Sequence, residues 1–539
     1  MSAGRAPSDR FDPPQDDVRG RGRDRLRGAE GPLPSRGSLV ARNTLLNLLG
    51  QVLSLAVGVA TIPVIVRALG EERFGLLGLM WAVLGYFSVL DFGLGRATTK
   101  FVAQYAAQGD DVALRRVATL AVASQTAIGV LAGIALAGIV PLVVKMVLHV
   151  PAALGSEARS SFLLLALSLP FVVLSLSLRA ILEAIQRFDL VNLIRTPSSV
   201  AVFLAPAIAA PLGVKLPGIL VLLLLVRVIA CWVTWIAVRR AMPSFHWDLV
   251  PTWRALRPLL RYGGWVSVSN VVSPILTYLE RFMLGSLTGL VAVAYYTAPY
   301  EAVTRLLIIP ASLATALFPA LSAPPYAMGD GEAKRLLAGS VRYLLLALAV
   351  PIALLVAFPG EMLQTWVGPA FAARSADVVR ILSVGVLLNG LAHLPFVYLL
   401  GQGRPDVVAR FHLLELLLYA VGAWWLVSGF GLTGAALAWT LRVTLDAVLL
   451  FAATWRLGGV SPRLLLSKGG GRALVAVLVL VLCGIGVGSL QDLGLNSRVA
   501  LAAGAAAAYG ICVWRVLLAD EERAGLRRAL ARLGIGSRP

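Results

Sequence analysis

Apolar runs of about 20 residues recur along this chain from near Thr44 to near Leu517. As a helix, a run of that length crosses the ~30 Å hydrocarbon layer of a bilayer, because its backbone groups bond to one another instead of to water. Only 14% of the residues are charged, against roughly 25% in an average soluble domain. The pattern therefore predicts an all-α protein that crosses a membrane many times, and it excludes a soluble globular fold.

The apolar runs predict about fourteen transmembrane helices. They are expected at 43–66, 74–95, 117–143, 161–183, 192–213, 217–238, 262–285, 290–318, 341–358, 376–400, 408–428, 432–455, 472–490 and 497–518. The first twelve form two blocks of similar length, 43–238 and 262–456, which indicates two pseudo-symmetric six-helix lobes with a cavity between them. The segment 239–261 is the expected cytoplasmic linker, and 457–518 adds two further transmembrane helices.

The net charge of +20 is explained by the orientation of the helices in the membrane. Arg and Lys concentrate in every second connection, such as the one that begins with Arg239 and Arg240, and cytoplasmic connections carry this excess. The alternation places both termini in the cytoplasm. Residues 1–42 form a basic cytoplasmic tail that is expected to be disordered, and 519–539 form a second basic tail. Nucleic acid is not an expected partner.

Neither an enzymatic site nor a metal site is expected. The three cysteines lie inside apolar runs and show no paired or metal-ligand spacing, so no metal or other cofactor is predicted. The longest connections have about 25 residues, too few for a folded extracytoplasmic domain. The chain carries no HExxH, no phosphate-binding Gly-rich loop and no convincing nucleophile motif, which argues against an enzyme.

Ionisable side chains occur inside several of the predicted spans. Each costs at least ~2.5–3.5 kcal/mol when it faces lipid, so such groups tend to face a bundle interior or a water-filled cavity. Three pairs of opposite charge have i,i+4 spacing and share a helical face: Arg179 with Glu183, Glu301 with Arg305, and Arg442 with Asp446. From the sequence, these pairs suit structural neutralisation as well as the lining of a substrate path.

A cavity with cationic walls would suit an anionic headgroup, because guanidinium groups bind phosphate oxygens in a bidentate manner. The expected headgroup ligands are Arg281, Arg305, Arg442 and Arg227, the last of which lies deep in its span without a local acid. An acid in the same cavity could exchange a proton or a sodium ion during transport. The candidates for this ion coupling are Glu280, Glu301, Glu415 and Asp446.

Three segments of the sequence form a recognisable series. They are NLLGQVLSLAVGVATIPVIVRALGEERFGLLGLMWAVLGYFSVLDFGLGRATTKFVAQ from Asn47, ERFMLGSLTGLVAVAYYTAPYEAVTRLLIIPASLATALFPALS from Glu280, and LLGQGRPDVVARFHLLE from Leu399. In this order they resemble bacterial polysaccharide flippases, which belong to the multidrug, oligosaccharidyl-lipid and polysaccharide exporter superfamily. The resemblance extends over residues 40–456 and rests on the order of several patterns together with the topology. One departure is Glu280, where the family often has an aspartate.

The resemblance implies two lobes that alternate access in the cytoplasmic (inner) membrane of a bacterium. The implied substrate is an undecaprenyl pyrophosphate-linked oligosaccharide, moved between leaflets for O-antigen, exopolysaccharide or capsule synthesis. Expected partners are this lipid-linked oligosaccharide and membrane lipid, with a polysaccharide polymerase and assembly proteins as further candidates. The coupling ion, H+ or Na+, stays open.

Two alternatives share the implied fold. One is a cation-coupled multidrug exporter, and the other is a flippase for the peptidoglycan precursor lipid II. The Arg-bearing spans favour an anionic substrate over a cationic drug.

Overall fold

The computed structural model describes residues 36–87, 90, 94–148, 150–242, 272–321, 330–467, 469–520 and 522–524. Within these ranges every regular element is a helix. In chain order they are α1 (Arg36–Leu69), α2 (Glu71–Tyr86), α3 (Leu94–Gln108), α4 (Asp111–Leu142), α5 (Ala152–Ala184), α6 (Phe188–Ala209), α7 (Leu216–Ala241), α8 (272–287), α9 (Leu290–Thr304), α10 (Ile308–Leu321), α11 (Asp330–Ala357), α12 (Pro359–Trp366), α13 (Pro369–Gly401), α14 (Pro405–Gly458), α15 (Pro462–Leu466), α16 (Gly470–Ser489) and α17 (Leu495–Cys512). The predicted all-α class is confirmed.

The chain divides into two units, Met1–Asn47 and Leu48–Pro539. The described part of the first unit is the start of α1, and all the other helices lie in the second.

Eleven helices in the described ranges are long and apolar enough to cross a membrane. One of the eleven, α14, contains both spans predicted at 408–428 and 432–455, because two helices meet at Gly431 without an intervening loop. The predicted span 74–95 corresponds to the 16-residue α2, and the predicted span 262–285 lies partly outside the described residues. A polytopic membrane protein is thereby confirmed, whereas the number fourteen is not.

Helix α3 occupies a segment that the hydropathy assigned to the end of the second span and to a connection. Leu94, Ala97 and Val102 of α3 are buried, and the helix packs against α4 and α5. Their spacing forms a narrow apolar stripe on one side of a polar helix. Because this segment contains no continuous apolar run, the criterion that predicts the other helices does not detect α3.

Glycines allow tight turns after α1 and α8 and the break inside α14. Gly70, Gly289 and Gly431 have φ angles of 76°, 95° and 53°. Side chains with a Cβ atom rarely adopt these left-handed conformations, so glycine ends each helix without a long loop.

The helices up to α7 form one set and those from α9 to α14 form another, and most of the helix packing lies within each set. In the first set α5 contacts α3, α4, α6 and α7, and in the second set α13 contacts its neighbours from α9 to α14. The closest packing between the sets joins α2 to α9. The boundaries 43–238, 262–456 and 457–518 stay predictions; the tails 1–42 and 519–539 and the linker 239–261 lie largely outside the described residues.

The outer surface of the helices is strongly apolar. Leu417 and Val421 of α14 are each 71% exposed, and Leu131 and Ile134 of α4 are each 66% exposed. A soluble protein rarely presents contiguous apolar surface of this kind, whereas lipid solvates it well. The exposed side chains therefore agree with the membrane assignment.

Candidate functional site

A cavity of about 460 Å³, called here the central cavity, lies between α1, α6 and the junction of α9 with α10. Its described lining residues include two arginines, Arg195 and Arg305, and no carboxylate. The remaining polar lining side chains are uncharged: Gln51, Ser54, Thr196, Ser199 and Thr304. The wall is therefore cationic and rich in hydrogen-bonding groups.

Arg305 reaches the central cavity because the helix changes form at this residue. Residues Arg305–Leu307 form a turn of 3-10 helix between α9 and α10. Pro310 follows, and a proline both lacks an N–H and crowds the carbonyl four residues earlier, which disfavours a regular α-helical turn. The guanidinium Cζ of Arg305 lies 5.4 Å from the centre of the Phe203 ring, and its side chain is 27% exposed.

Glu301 connects Arg305 to a second arginine that is completely buried. Its Oε2 accepts a hydrogen bond from Nη2 of Arg305 at 2.6 Å, and its Oε1 accepts one from Nη2 of Arg281 at 3.1 Å. Arg281 has no exposed side-chain surface and lies with Cζ 4.3 Å from the centre of the Tyr300 ring. Of the two predicted ligands in this network, Arg305 lines the central cavity, whereas Arg281 has no exposed side-chain surface in this conformation.

Glu280 lies next to this network and is also buried. Its carboxylate accepts hydrogen bonds from the Tyr419 hydroxyl at 2.6 Å and from the Tyr296 hydroxyl at 3.2 Å. These bonds join α8, α9 and α14. In this conformation the carboxylate is enclosed by protein rather than open to a cavity.

Arg442 pairs differently from the sequence expectation. The predicted partner was Asp446 on the next turn, but the ion pair in the structure joins Nη1 of Arg442 to Oε2 of Glu415 at 3.8 Å. The break at Gly431 allows the two halves of α14 to approach each other, a contact that spacing within one helix does not reveal. Glu415 has no exposed surface and Asp446 is 9% exposed, so this cluster is enclosed.

A second cavity of about 260 Å³, called here the arginine chamber, lies between α5, α6 and α7. Its lining includes Arg179, Arg195 and Arg227. Arg179 forms the predicted ion pair with Glu183 at 3.4 Å, and Arg227 donates a hydrogen bond to Ser168 Oγ at 3.2 Å. Arg195 and Ser199 line both cavities, so the two spaces adjoin along α6.

Sequence reasoning singled out Arg227 and missed Arg195. Arg195 lies inside the apolar segment predicted as the fifth span, which was the available signal. The sequence alone does not show that α6 turns the Arg195 side chain towards two cavities, so the residue could not be selected as a candidate.

Specific side-chain contacts join α1 to α12 and α2 to α9. Nε1 of Trp366 donates a hydrogen bond to the carbonyl of Val59 at 2.7 Å, and the Tyr295 hydroxyl donates one to Glu71. Close by, Gly75 packs so tightly against α9 that an added Cβ would collide with a backbone carbonyl. The central cavity involves the α1 residues from Gly50 to Leu55, which lie nearer the start of that helix than Val59.

Solved structures with a similar fold come from transporters. An inward-facing multidrug resistance MATE family transporter of the MOP superfamily superposes with a TM-score of 0.63 at 17% identity, covering 80% of this chain and 95% of that one. The lipid II flippase MurJ in an inward closed conformation gives a TM-score of 0.67 at 10% identity, covering 88% of this chain and 99% of that one. At these identities the likeness concerns the fold.

Two curated proteins are similar to this chain in amino-acid sequence. The "Putative O-antigen transporter" of Shigella flexneri is 29% identical over 416 residues, which cover 76% of this chain and 96% of that protein. The "Uncharacterized membrane protein EpsK" of Bacillus subtilis is 28% identical over 370 residues, covering 66% of this chain and 70% of that protein.

The family model described as "Polysaccharide biosynthesis protein" matches residues 40–323. This range includes the first two of the three segments on which the predicted resemblance rests, and that prediction is confirmed. Because the match covers more than half of the 539 residues, this membrane protein belongs to the polysaccharide biosynthesis protein family, and its fold is similar to that of the solved transporters described above.

Proposed function

We propose that this protein is a flippase that carries an undecaprenyl diphosphate-linked oligosaccharide across the bacterial cytoplasmic membrane for surface polysaccharide synthesis. The observation that carries the proposal is the central cavity, with Arg195 and Arg305 in its wall and no carboxylate among its described lining residues. A glycan needs hydrogen-bonding groups and a diphosphate needs cations, whereas the isoprenoid chain remains in lipid. The family description and the name of the Shigella flexneri relative agree with this substrate class.

Transport proceeds by alternating access in this proposal. With both termini in the cytoplasm, the end closed by Trp366 and Tyr295 faces outward, and the central cavity opens towards the cytoplasmic leaflet. The headgroup enters there, binds the cavity arginines and leaves after the closing contacts separate. Two six-helix lobes, 43–238 and 262–456, would move relative to each other during this change.

The charge of the cavity wall disfavours a cationic drug as the substrate, but it does not distinguish the proposed substrate from lipid II. A cation-coupled multidrug exporter would place its positively charged substrate beside Arg195 and Arg305, which repel it. Lipid II also carries a diphosphate, so its transport suits the same wall. A gene essential for growth would identify a lipid II flippase, and a gene needed only for a surface polymer would identify the proposed function.

Ion coupling is assigned to the buried acids rather than to the cavity wall. Glu280, Glu415 and Asp446 are enclosed carboxylates, and Glu301 lies between two arginines. In the proposed cycle one of them takes up H+ or Na+ when the protein changes conformation. A polymerase and assembly proteins would receive the flipped product, and no enzymatic step is assigned to this chain.

The proposal is tested in a bacterium from which the gene has been deleted. The wild-type protein should restore the surface polysaccharide, whereas Arg305→Gln at equal membrane abundance should leave lipid-linked oligosaccharide in the cytoplasmic leaflet. Arg159→Gln is the matched control, because Arg159 is exposed and lies outside both cavities. Unchanged surface polysaccharide in the deletion strain would reject the proposal.

A further inference from the structure

The arginine chamber contains more positive charge than its protein partners neutralise. Arg179 is paired with Glu183, but Arg227 has only a serine hydroxyl as a hydrogen-bond partner among the described residues. Within the same described ranges, Arg195 forms neither a hydrogen bond nor an ion pair. Two guanidinium groups therefore enter the cavity without an ion-pair partner among the described residues, and Arg195 shares only the longer-range attraction of Glu183, the acid already paired with Arg179. Uncompensated charge within a membrane is costly, which favours a ligand that supplies the missing negative charge.

The rest of the chamber is apolar. Of its seventeen lining residues, ten are aliphatic, four carry hydroxyl groups and three are arginines. A free sugar would leave the aliphatic wall uncovered, and a hydrocarbon alone would leave the guanidinium groups without partners. A phosphate group joined to a branched hydrocarbon matches both parts of this lining.

The arginines also lie at graded depths in the membrane. Helix geometry places Arg179, Arg195 and Arg227 about 8, 10 and 21 Å from the ends of α5, α6 and α7 that share one side of the bundle. A diphosphate entering from that side would meet two guanidinium groups first and Arg227 near the middle of the membrane. The volume of about 260 Å³ suits a headgroup, since pockets for complete small-molecule ligands usually measure ~300–1,000 Å³.

We infer that the arginine chamber binds the diphosphate and the first isoprene units of the lipid, while the attached glycan occupies the central cavity. Arg195 lines both spaces and contacts the substrate at the junction of the lipid with the sugar. This inference rests on the proposed function and divides its substrate between two sites. It moves the main diphosphate ligands from Arg281, Arg305 and Arg442 to Arg195 and Arg227, whereas Arg305, which lines only the central cavity of the two, contacts the glycan.

Binding to the purified full-length protein tests the inference separately from transport. The probe is farnesyl diphosphate, with farnesol as its uncharged counterpart. Arg195→Gln and Arg227→Gln should each weaken farnesyl diphosphate binding about tenfold, as expected for the loss of one charge-assisted contact. Arg159→Gln, an exposed change on α5, should bind like the wild type. Arg227→Lys should recover part of the affinity, which distinguishes the loss of charge from misfolding.

Three results would overturn the inference. The first is equal farnesyl diphosphate binding by the wild type, Arg195→Gln and Arg227→Gln. The second is binding of farnesol as tight as that of farnesyl diphosphate. The third is displacement of farnesyl diphosphate by phosphatidylglycerol at equal concentration, which would identify a general phospholipid site. Arginine-dependent farnesyl diphosphate binding without any flipping of lipid-linked oligosaccharide would support the chamber and reject the transport function.

Discussion

Arg305 donates a hydrogen bond of 2.6 Å to Glu301, one helical turn earlier, and this bond holds the guanidinium at the wall of the central cavity. The same carboxylate accepts a hydrogen bond from the buried Arg281. A single acid therefore positions an arginine that substrate can reach and neutralises one that it cannot reach in this conformation. The structure therefore shows the mutual neutralisation expected of an i,i+4 pair, and the lining of a substrate path by Arg305 stays a prediction.

Glu301→Gln should destabilise the protein strongly, because it leaves Arg281 buried without its ion-pair partner. Loss of one partner of a buried ion pair costs about 3–5 kcal/mol. Asp377→Asn is the matched control: Asp377 pairs with Arg380 at the surface, and such a pair contributes at most about 1 kcal/mol. Thermal unfolding in detergent should show a large decrease in Tm for the first variant only. Equal Tm values would mean that Arg281 does not depend on Glu301.

Tyr419→Phe should lower stability by about 1.5–3 kcal/mol, the usual contribution of a hydrogen bond to a charged group. The change removes the 2.6 Å bond to the buried Glu280 carboxylate and leaves the tyrosine ring in place. Tyr105→Phe is the control, since the Tyr105 hydroxyl has no hydrogen-bond partner in the described ranges. A Tm as high for Tyr419→Phe as for Tyr105→Phe would contradict the assigned role of the hydroxyl.

Gly75→Ala should disturb the contact of α2 with α9, because the new methyl group would collide with the carbonyl oxygen of Leu290. Overpacking of this kind costs about 1–3 kcal/mol. Gly138→Ala on α4 is the control, since nothing lies within 4 Å of the position of its added Cβ. Alanine has the higher helix propensity, so this control should unfold at or above the wild-type temperature. A neutral Gly75→Ala would show that the close approach is not required.

The local parts of the site could be predicted from the sequence, because one helix fixes the geometry of neighbours along it. The pairs Arg179 with Glu183 and Glu301 with Arg305 follow from i,i+4 spacing alone. The all-α fold and its apolar segments follow from hydropathy in the same way.

The remaining features depend on how helices rotate and meet. Hydropathy places Arg281 inside a span but does not show which way its side chain points, and the structure encloses it. Arg442 meets Glu415 because of the break at Gly431, which the pattern within one helix cannot reveal. The three arginines of the arginine chamber come from three different helices, so the importance of Arg195 follows only from the way these helices pack.

Transport by the purified protein in liposomes measures the central claim directly. A fluorescent isoprenyl diphosphate-linked oligosaccharide is placed in both leaflets, and a membrane-impermeant reagent quenches the outer one. The wild type and Arg159→Gln should expose the inner pool to the reagent at equal rates, and Arg305→Gln should slow this exposure about tenfold or more, the effect of losing one strong charge-assisted contact. Absence of flipping by the wild type, or an unchanged rate with Arg305→Gln, would contradict the account.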